Sequence, residues 1–455
     1  MNTASAEIPT YQIQGKQRSL TREQKQAIGL LSVGTLLEYF DLMLYVHMAV
    51  LLNELFFPKS DPHTAAIVTA VAFCSTYFLR PFGALLFGWI GDNIGRKITV
   101  IITTSMMSIS CLIMANLPTY AEIGIAASWI ISICRVMQGM SSMGEITGAQ
   151  LYLTESISTI AKYPAVAMMN VSASAGGFIA LGVATLVTSY GMNWRAAFWV
   201  GAVVAGIGII ARKNLRETPD FVDAKHRYIK ALEKFNTDSV EPINKNIIIS
   251  AKVNHKTSLA LLLMDCMWPV CFYFAYMYCG DILKHSFGYT YEEIIRNNLF
   301  VAMIQLSADA LLVPLLYYIY PLTILRIRFF VFSIVFVGCV FVLNNTDSAL
   351  TVFIIQSLVV FIACDASPNN SIFFKHFPVF KRFTYGAFIY AASRALVYVV
   401  TSFGFIYLTK YFGNLGVLFI IVPIILGFAF GLNHFIKLER AIGNFPQKKL
   451  NFSAS

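Results

Sequence analysis

Residues 88–97 read GWIGDNIGRK, and long apolar stretches run away from this polar segment in both directions. Glycine lets a second helix approach closely, and it also permits the tight turn that a short loop needs. We therefore expect Gly88 and Gly91 to lie where another helix comes close and Gly95 to form the turn. We expect Asp92 to cap the helix that follows, because aspartate is a favoured N-cap residue.

The composition of the whole chain predicts an integral membrane protein. Of its 455 residues, 57% are hydrophobic and only 13% are charged, and the mean hydropathy is +0.65. A soluble domain normally carries about 25% charged residues, so this chain lacks the polar surface that a soluble globule needs. The eight cysteines lie in apolar segments without CxxC pairs or metal-ligand spacing to histidine, so we expect neither disulfides nor a metal site.

The apolar segments predict an all-α protein with twelve transmembrane helices. Each segment approaches the roughly 20 residues that a helix needs to cross the bilayer core. Cytoplasmic loops normally hold the positive charge, and most of the 34 basic residues fall on one side if both termini are cytoplasmic. The net charge of +10 is explained by this orientation, so no nucleic-acid partner is expected.

One long polar segment divides the chain into two sets of six spans, a layout typical of transporters that bind substrate between two halves near the bilayer midplane. The first 26 residues contain no apolar core with a cleavage site, so no signal peptide is predicted. The predicted units are a cytoplasmic N-terminal tail (1–26), an N-terminal six-helix half (27–212), a cytoplasmic central loop (213–256), a C-terminal six-helix half (257–436) and a cytoplasmic C-terminal tail (437–455).

Ionisable side chains inside the predicted spans are candidates for proton coupling, because charges at membrane depth are costly and usually functional. Glu38 and Asp41 in the first span are three residues apart and share a helix face. Arg135 and Glu145 lie near one stripe of the fourth span. Arg135 can neutralise either carboxylate of the first span, and a pair that rearranges can switch the proton affinity of a carboxylate. The alternative is a static ion pair that fixes helix packing.

Further side chains are candidates for substrate contact. These are Tyr45, Gln138, Tyr273, Tyr276 and Arg394. The aromatic rings of the seventh span, among them Tyr273 and Tyr276, can hold a quaternary ammonium group by cation–π attraction. Aromatic side chains also gather routinely at membrane interfaces, so both interpretations stay open. Arg394 in the eleventh span can bind a carboxylate or pair with Asp365 on the neighbouring span.

Several stretches resemble one protein family. The pattern G-x-x-x-D-x-x-G-R-K at 88–97 resembles the loop signature of the major facilitator superfamily. GTLLEYFDLMLY (34–45), RVMQGMSSMGEITGA (135–149) and LRETPDF (215–221) are similar to its metabolite:proton symporter branch, which includes proline/betaine and dicarboxylate carriers. The resemblance implies the major facilitator fold, a bacterial inner-membrane location, and the proton gradient rather than a cofactor as the energy source.

The same resemblance implies a conformational latch at the inner end of the first half. Its residues would be Gly88, Asp92, Gly95 and Arg96. The carboxylate within reach of the basic end of the loop would be Glu155, which we choose because it lies at the inner end of the fourth span. The corresponding loop of the second half has lost this pattern, since Leu322 replaces the aspartate and Tyr318 replaces the first glycine. The resemblance therefore does not extend to a latch at that second position.

The expected function is proton-coupled symport of a small polar metabolite by alternating access, with proline or betaine as the first choice. A dicarboxylate such as 2-oxoglutarate is the alternative, for which Arg135 and Arg394 would supply two cationic anchors. A receptor or scaffold that no longer transports would explain the altered second loop. No motif for ATP hydrolysis or hydrolase chemistry occurs, so the chain is not expected to be an enzyme. The expected partners are a small molecule, protons and the lipid bilayer, with the protein a monomer.

Overall fold

The computed structural model describes residues 20–58, 77–157, 160–190, 193–212 and 253–445, and these ranges are helical without any strand. The predicted N-terminal tail and most of the predicted central loop lie outside the described residues. The long helices, numbered here in chain order, are α1 (Arg22–Phe56), α2 (Arg80–Asn93), α3 (Arg96–Asn116), α4 (Ile125–Ser156), α5 (Lys162–Tyr190), α6 (Arg195–Arg212), α7 (His255–Phe287), α8 (Tyr291–Tyr318), α9 (Pro321–Asn344), α10 (Ala349–Ile362), α11 (Val379–Phe412) and α12 (Leu418–Ala441).

Within the described ranges, eight stretches are long and apolar enough to cross a membrane. One of them, Val379–Ala441, contains both α11 and α12. The all-helical membrane fold is as the composition predicts. The number of twelve crossing helices and the cytoplasmic position of both termini stay predictions.

Two long seams join the first six helices to the last six. α5 packs along α8, and α2 packs along α11. Inside the first set, α1 packs against α5, where a Cβ on Gly176 would lie 2.1 Å from the Leu36 carbonyl oxygen. Only a residue without a side chain permits this close approach of two backbones. α2 and α4 end, and α11 begins, at the same end of the bundle. This end is called the Asp92 end below.

α7 contains a π-helical turn at Tyr273–Tyr278, between α-helical segments that end at Phe272 and begin at Cys279. A π turn closes its hydrogen bonds over five residues, and such turns often occur at functional sites. The rotation per residue is smaller than in an α-helix, so side chains three residues apart no longer share a face. Tyr273 and Tyr276 therefore point in different directions.

α10 stops at Ile362, and the backbone at residues 363–366 is not helical before short helical turns follow to His376. Pro368 restricts the residue before it, which makes a continuous helix unfavourable here. A break at membrane depth requires other partners for the freed backbone groups. Arg328 of α9 supplies one, since its Nη2 donates to the carbonyl oxygen of Ala363 at 2.6 Å.

Candidate functional site

A cavity lies between the two halves, surrounded by α1, α5, α7, α8, α11 and the broken segment after α10. The cavity has a volume of about 70 Å³, which is room for a small ligand rather than a large one. The polar side chains that line it are Tyr39, Asn170, Ser174, Tyr276, Gln305, Asp309, Arg328, Asp365, Ser367, Tyr390 and Arg394.

Two carboxylates of the second half face neutral donors of the first half across this cavity. Ser174 Oγ on α5 donates to Asp309 Oδ2 at 2.5 Å, and Asn170 Nδ2 donates to Asp365 Oδ2 at 2.7 Å. Gln305 extends the contact, since it donates to Ser174 at 3.1 Å and accepts from the Tyr276 hydroxyl at 2.8 Å. Both carboxylates are thus held by hydrogen bonds that cross the seam between the halves.

Arg394 is the cationic side chain of the cavity with the weakest polar contacts. Its guanidinium carbon lies 3.2 Å from the ring centroid of Tyr390, and Nη1 reaches the Tyr390 carbonyl oxygen at 3.4 Å and Ser393 Oγ at 3.3 Å. Arg328, the other arginine in the lining, is engaged with backbone carbonyls. The sequence-based pairing of Arg394 with Asp365 does not form, because Asp365 accepts from Asn170 and from the Ser367 amide instead.

Aromatic rings form much of the remaining wall. Trp268, Phe272 and Tyr276 are spaced four residues apart on α7 and all line the cavity. The Tyr39 and Tyr390 hydroxyls are 2.7 Å apart and join α1 to α11. Tyr273, which the sequence put among the substrate candidates, is not in the cavity lining and packs edge-on against Phe405 of α11.

The predicted proton-coupling residues form a separate polar network inside the first half. Asp41 Oδ1 accepts from Cys111 Sγ of α3 at 3.0 Å, and Asp41 Oδ2 accepts from Gln138 Nε2 of α4. Arg135 Nη1 donates to Gln138 Oε1 at 3.0 Å. Gln138 therefore links Asp41 to Arg135, and it belongs to this network instead of the cavity wall.

The structure also describes some of the other residues predicted for proton coupling or substrate contact. Glu38 is buried on α1 next to the cavity residue Tyr39, and it is not part of the cavity lining. The side chains of Tyr45 and Glu145 lie outside the described residues.

At the Asp92 end, α2 of the first half meets the first turns of α11 in the second half. Asp92 accepts from the amides of Phe383 and Thr384 at 3.1 and 2.8 Å and from Thr384 Oγ1 at 2.7 Å. A Cβ on Gly88 would lie 2.6 Å from Thr384 Cα, and one on Gly91 would lie 2.7 Å from the Phe383 ring. The close approach predicted at these two glycines is present.

The predicted cap of α3 by Asp92 is wrong. The N-cap position of α3 is Gly95, without a side-chain hydrogen bond, and Asp92 instead binds the start of α11. The positive end of a helix attracts a carboxylate, and here the seam brings α11 within reach. Gly95 has φ 154° and ψ 153°, a conformation open essentially to glycine alone, as the predicted turn requires.

Glu155 of α4 forms a second link between the halves at this end. Its Oε1 lies 3.1 Å from Arg382 Nη1 on α11, and both side chains are buried. The side chain of Arg96, for which the sequence suggested contact with Glu155, lies outside the described residues. A buried pair of this kind holds the α4 and α11 ends together at the Asp92 end.

The altered loop of the second half has other contacts. Leu322, at the position of the missing aspartate, is fully buried, and Tyr318 is 89% exposed. Two residues further on, the Tyr320 hydroxyl donates to Glu439 Oε2 at 2.6 Å, and His376 Nε2 lies 2.8 Å from Glu439 Oε1. These contacts join α9, α12 and the segment after α10, all within the second half.

Sequence reasoning missed Tyr39, Asn170, Ser174 and Gln305. Each is a neutral polar residue in an apolar helix, and that type and position give only a weak signal in one sequence. The described ranges contain no group of three or more His, Cys, Asp or Glu residues placed to hold a metal ion, and the cysteines they include are buried and unpaired.

A family model described as Major Facilitator Superfamily matches residues 31–402. The chain belongs to this superfamily. The family resemblance of its motifs is thereby confirmed, and membership agrees with the prediction that the chain is not an enzyme. A solved structure of the proton:xylose symporter XylE with bound 6-bromo-6-deoxy-D-glucose has a TM-score of 0.72 to this chain at 12% identity, covering 92% of this chain and 96% of that one. At this identity the likeness shows the fold alone.

Two sequence relatives are metabolite transporters by name. The proline/betaine transporter of Salmonella typhimurium is 28% identical over 277 residues, which cover 59% of this chain and 55% of that one. The inner membrane metabolite transport protein YhjE of Escherichia coli is 34% identical over 199 residues, covering 42% of this chain and 45% of that one. The chain thus spans about half the length of these relatives.

Proposed function

We propose that this protein is a proton-coupled symporter of a small zwitterionic metabolite of the proline or betaine class, working by alternating access in a bacterial inner membrane. The observation that carries the proposal is the cavity between the halves. It offers two carboxylates, one weakly engaged arginine and a wall of aromatic rings. The name of the Salmonella relative supports the same substrate class.

The charges of the cavity favour a zwitterion over a dicarboxylate. Asp309 and Asp365 offset Arg328 and Arg394 in the lining, and Arg328 is held by backbone carbonyls. One guanidinium is left for one substrate carboxylate. The ammonium group of a zwitterion would be attracted by the aspartates and by the aromatic faces, each of which can contribute about 0.5–2 kcal/mol. A second carboxylate would meet repulsion there.

The dicarboxylate alternative loses one of its two proposed anchors. Arg135 is bonded to Gln138 inside the first half and does not line the cavity. A dicarboxylate would have to use Arg394 with Arg328, whose carbonyl contacts would then be given up. For this reason 2-oxoglutarate serves here as the competing substrate in the test.

Alternating access needs an element that closes one side of the cavity, and the Asp92 end supplies it. Asp92 and Glu155 of the first half bind the start of α11 in the second half. We place this end on the cytoplasmic side. In this conformation the cavity is therefore closed toward the cytoplasm. Opening inward would break both links.

Proton coupling in this proposal uses Glu38, Asp41, Arg135 and Glu145. Asp41 joins three helices of the first half through Cys111 and Gln138. Protonation of the carboxylate would weaken its acceptor role, and the hydrogen bonds that join α1 to α3 and α4 would rearrange. Such a change can be transmitted to Tyr39, which stands on α1 and faces the cavity.

Uptake into proteoliposomes tests the proposal. Labelled proline is offered under an imposed inward proton gradient, with betaine and 2-oxoglutarate as competitors, and a protonophore and protein-free liposomes as controls. Gradient-dependent proline uptake that betaine blocks supports the proposal. Gradient-driven entry of 2-oxoglutarate without proline uptake would move the substrate to organic acids. If no compound enters faster than into protein-free liposomes, the proposal is contradicted and a receptor or scaffold role gains ground.

A further inference from the structure

Asp265 is a buried carboxyl group that the mechanism above leaves unused. It ends the first helical segment of α7, its residue is 4% exposed, and its Oδ1 has no hydrogen-bond partner in the described residues. Buried carboxyl oxygens without partners are rare in native proteins, and each one calls for an explanation. A group that must gain and lose a proton during a cycle is one such explanation.

The charged groups that interact electrostatically with the Asp265 carboxyl group are Arg394 of α11 and Asp365 in the break after α10. The neighbouring thiol is Cys266 on α7 itself. Arg394 also lines the substrate cavity. Its described contacts are the Tyr390 ring, the Tyr390 carbonyl and Ser393, and no carboxylate of the described residues is among them. Asp265 and Arg394 are therefore near one another without forming a salt bridge.

This arrangement has a simple electrostatic consequence. An ionised carboxylate that is buried without its partner is strongly unfavourable, whereas a paired one is tolerated. When Arg394 is turned toward the cavity, the neutral acid is the favoured form of Asp265. When Arg394 pairs with Asp265, the ionised form is favoured.

We propose that Asp265 carries a coupling proton in the second half, and that Arg394 links its protonation to substrate binding. The proposal rests on the proposed symport function. A proton from the outer solution converts the Asp265 carboxylate to the neutral acid, which leaves Arg394 available for a substrate carboxylate. After the substrate dissociates, the Arg394 guanidinium pairs with Asp265, and the proton leaves to the inner solution. Arg394 keeps its charge throughout, so one proton enters and one proton leaves.

The contrast with Asp41 gives this site its distinct role. Both carboxyl oxygens of Asp41 accept hydrogen bonds from Cys111 and Gln138, whereas Asp265 Oδ1 has no such partner in the described residues. Neither carboxyl group lines the cavity, but the arginine beside Asp265 does. The charged neighbour of Asp265, Arg394, is itself a cavity residue, so substrate binding can change the environment of this carboxyl group.

The variant D265N tests the proposal by separating exchange from accumulation. The amide cannot take up or release the proton, but exchange of labelled for unlabelled proline across the membrane needs no net proton movement. We expect D265N to keep counterflow and to lose gradient-driven accumulation. D281N is the matched control, because Asp281 lies on the same helix with a side chain 68% exposed, and it should accumulate proline like the wild type.

The outcomes separate this inference from the proposed function. If the wild type shows no gradient-driven uptake, the symport proposal fails, and this inference fails with it. If the wild type and D265N accumulate proline equally, the inference alone is overturned. If D265N loses counterflow as well, D265E decides: restored accumulation supports a proton role for the carboxyl group, and continued failure overturns it.

Infrared spectroscopy of the purified protein provides a test without substrate. A protonated carboxyl group has a carbonyl stretching band that a carboxylate lacks. We expect the wild type and D281N to show this band at neutral pH and D265N to show a smaller one. Equal bands in all three proteins would mean that Asp265 is ionised in this conformation, which overturns the proposal.

Discussion

At Gly88 the two halves come into backbone contact. A Cβ at this position would meet Thr384 Cα at 2.6 Å, which is backbone and cannot turn away as a flexible side chain would. The Asp92 carboxylate binds the same residue, Thr384, one helical turn further along α2. The glycine and the aspartate therefore act together, since the hydrogen bonds need the close approach.

We expect Gly88→Ala to destabilise the conformation that is closed at the Asp92 end. Overpacking costs typically about 1–3 kcal/mol, while alanine gains up to about 1 kcal/mol over glycine in a helix. The closed conformation should lose more stability from the clash than the helix gains from alanine. The maximal rate of proline uptake should therefore fall several-fold.

Gly29→Ala on α1 is the control for this change, because no described atom lies within 4 Å of a Cβ built there. It introduces the same helix-favouring methyl group without a clash. An equal fall in uptake for both variants would mean that Gly88 has no special role in closing the protein.

Arg394→Lys tests the substrate carboxylate site while the positive charge is kept. Lysine lacks the planar fork that binds a carboxylate through two parallel hydrogen bonds. Hydrogen bonds to charged groups contribute about 1.5–3 kcal/mol, so we expect the KM for proline uptake to rise by roughly ten- to hundredfold. Arg296→Lys is the control, since Arg296 is exposed. An unchanged KM in the Arg394 variant would remove it from the substrate site.

The sequence predicts single residues well where the physical demand is local. The sequence alone predicts the roles of Gly88, Gly91 and Gly95, because close approach of two helices and an unusual φ both require glycine. The partner of Asp92 could not be predicted, because Thr384 is almost 300 residues away in the sequence. The same distance hides the contact between Ser174 and Asp309.

At the scale of helices, the π turn in α7 decides which aromatic side chains reach the cavity. Tyr276 lines it and donates to Gln305 at 2.8 Å, whereas Tyr273 faces Phe405. In a regular α-helix the two tyrosines would lie near one face, so the sequence alone could not predict that only one of them reaches the cavity. The break after α10 is different, because the run SPNN (367–370) next to it is typical of a turn.

The two tyrosines make a matched pair of variants. Tyr276→Phe removes the donor to Gln305, which in turn holds Ser174 beside Asp309. Loss of a buried hydrogen bond costs about 1–3 kcal/mol, so we expect the KM for proline to rise by about five- to hundredfold. Tyr273→Phe should leave the KM unchanged. Equal effects of both changes would mean that the π turn does not sort these side chains by function.

For the whole molecule, the distribution of links between the halves predicts how it moves. At the cavity, α5 is hydrogen-bonded to Asp309 of α8 and to Asp365 after α10. At the Asp92 end, Asp92 of α2 and Glu155 of α4 bind the start of α11.

The second-half loop contributes no aspartate of this kind. Its Tyr320 hydroxyl binds Glu439 within the second half, and the Tyr320 ring packs edge-on against Tyr163 of α5 in the first half. The links to the start of α11 therefore act at the Asp92 end together with the Asn370–Gln150 hydrogen bond between the halves.

Asp92→Ala should accordingly shift the protein toward a conformation open at the Asp92 end. The substitution removes the acceptor of three hydrogen bonds from Phe383 and Thr384. With about 0.5–1.5 kcal/mol net for each bond, the closed population should fall by roughly ten- to a thousandfold relative to the open one. Spin labels on cysteines at Ile160 and Ile442, which are exposed near this end in the two halves, would report the change as a longer interspin distance.

The opposite end of the bundle offers the control for this distance measurement. Asp347 is exposed in the connection between α9 and α10, so Asp347→Ala removes a carboxylate without touching the α2–α11 seam. Its distance distribution should match that of the labelled parent protein. If Asp92→Ala also leaves the distribution unchanged, the hydrogen bonds to α11 do not control closure. In that case the buried Glu155–Arg382 pair, 3.1 Å apart, would be the stronger link at the Asp92 end, and Arg382→Gln would be expected to open it.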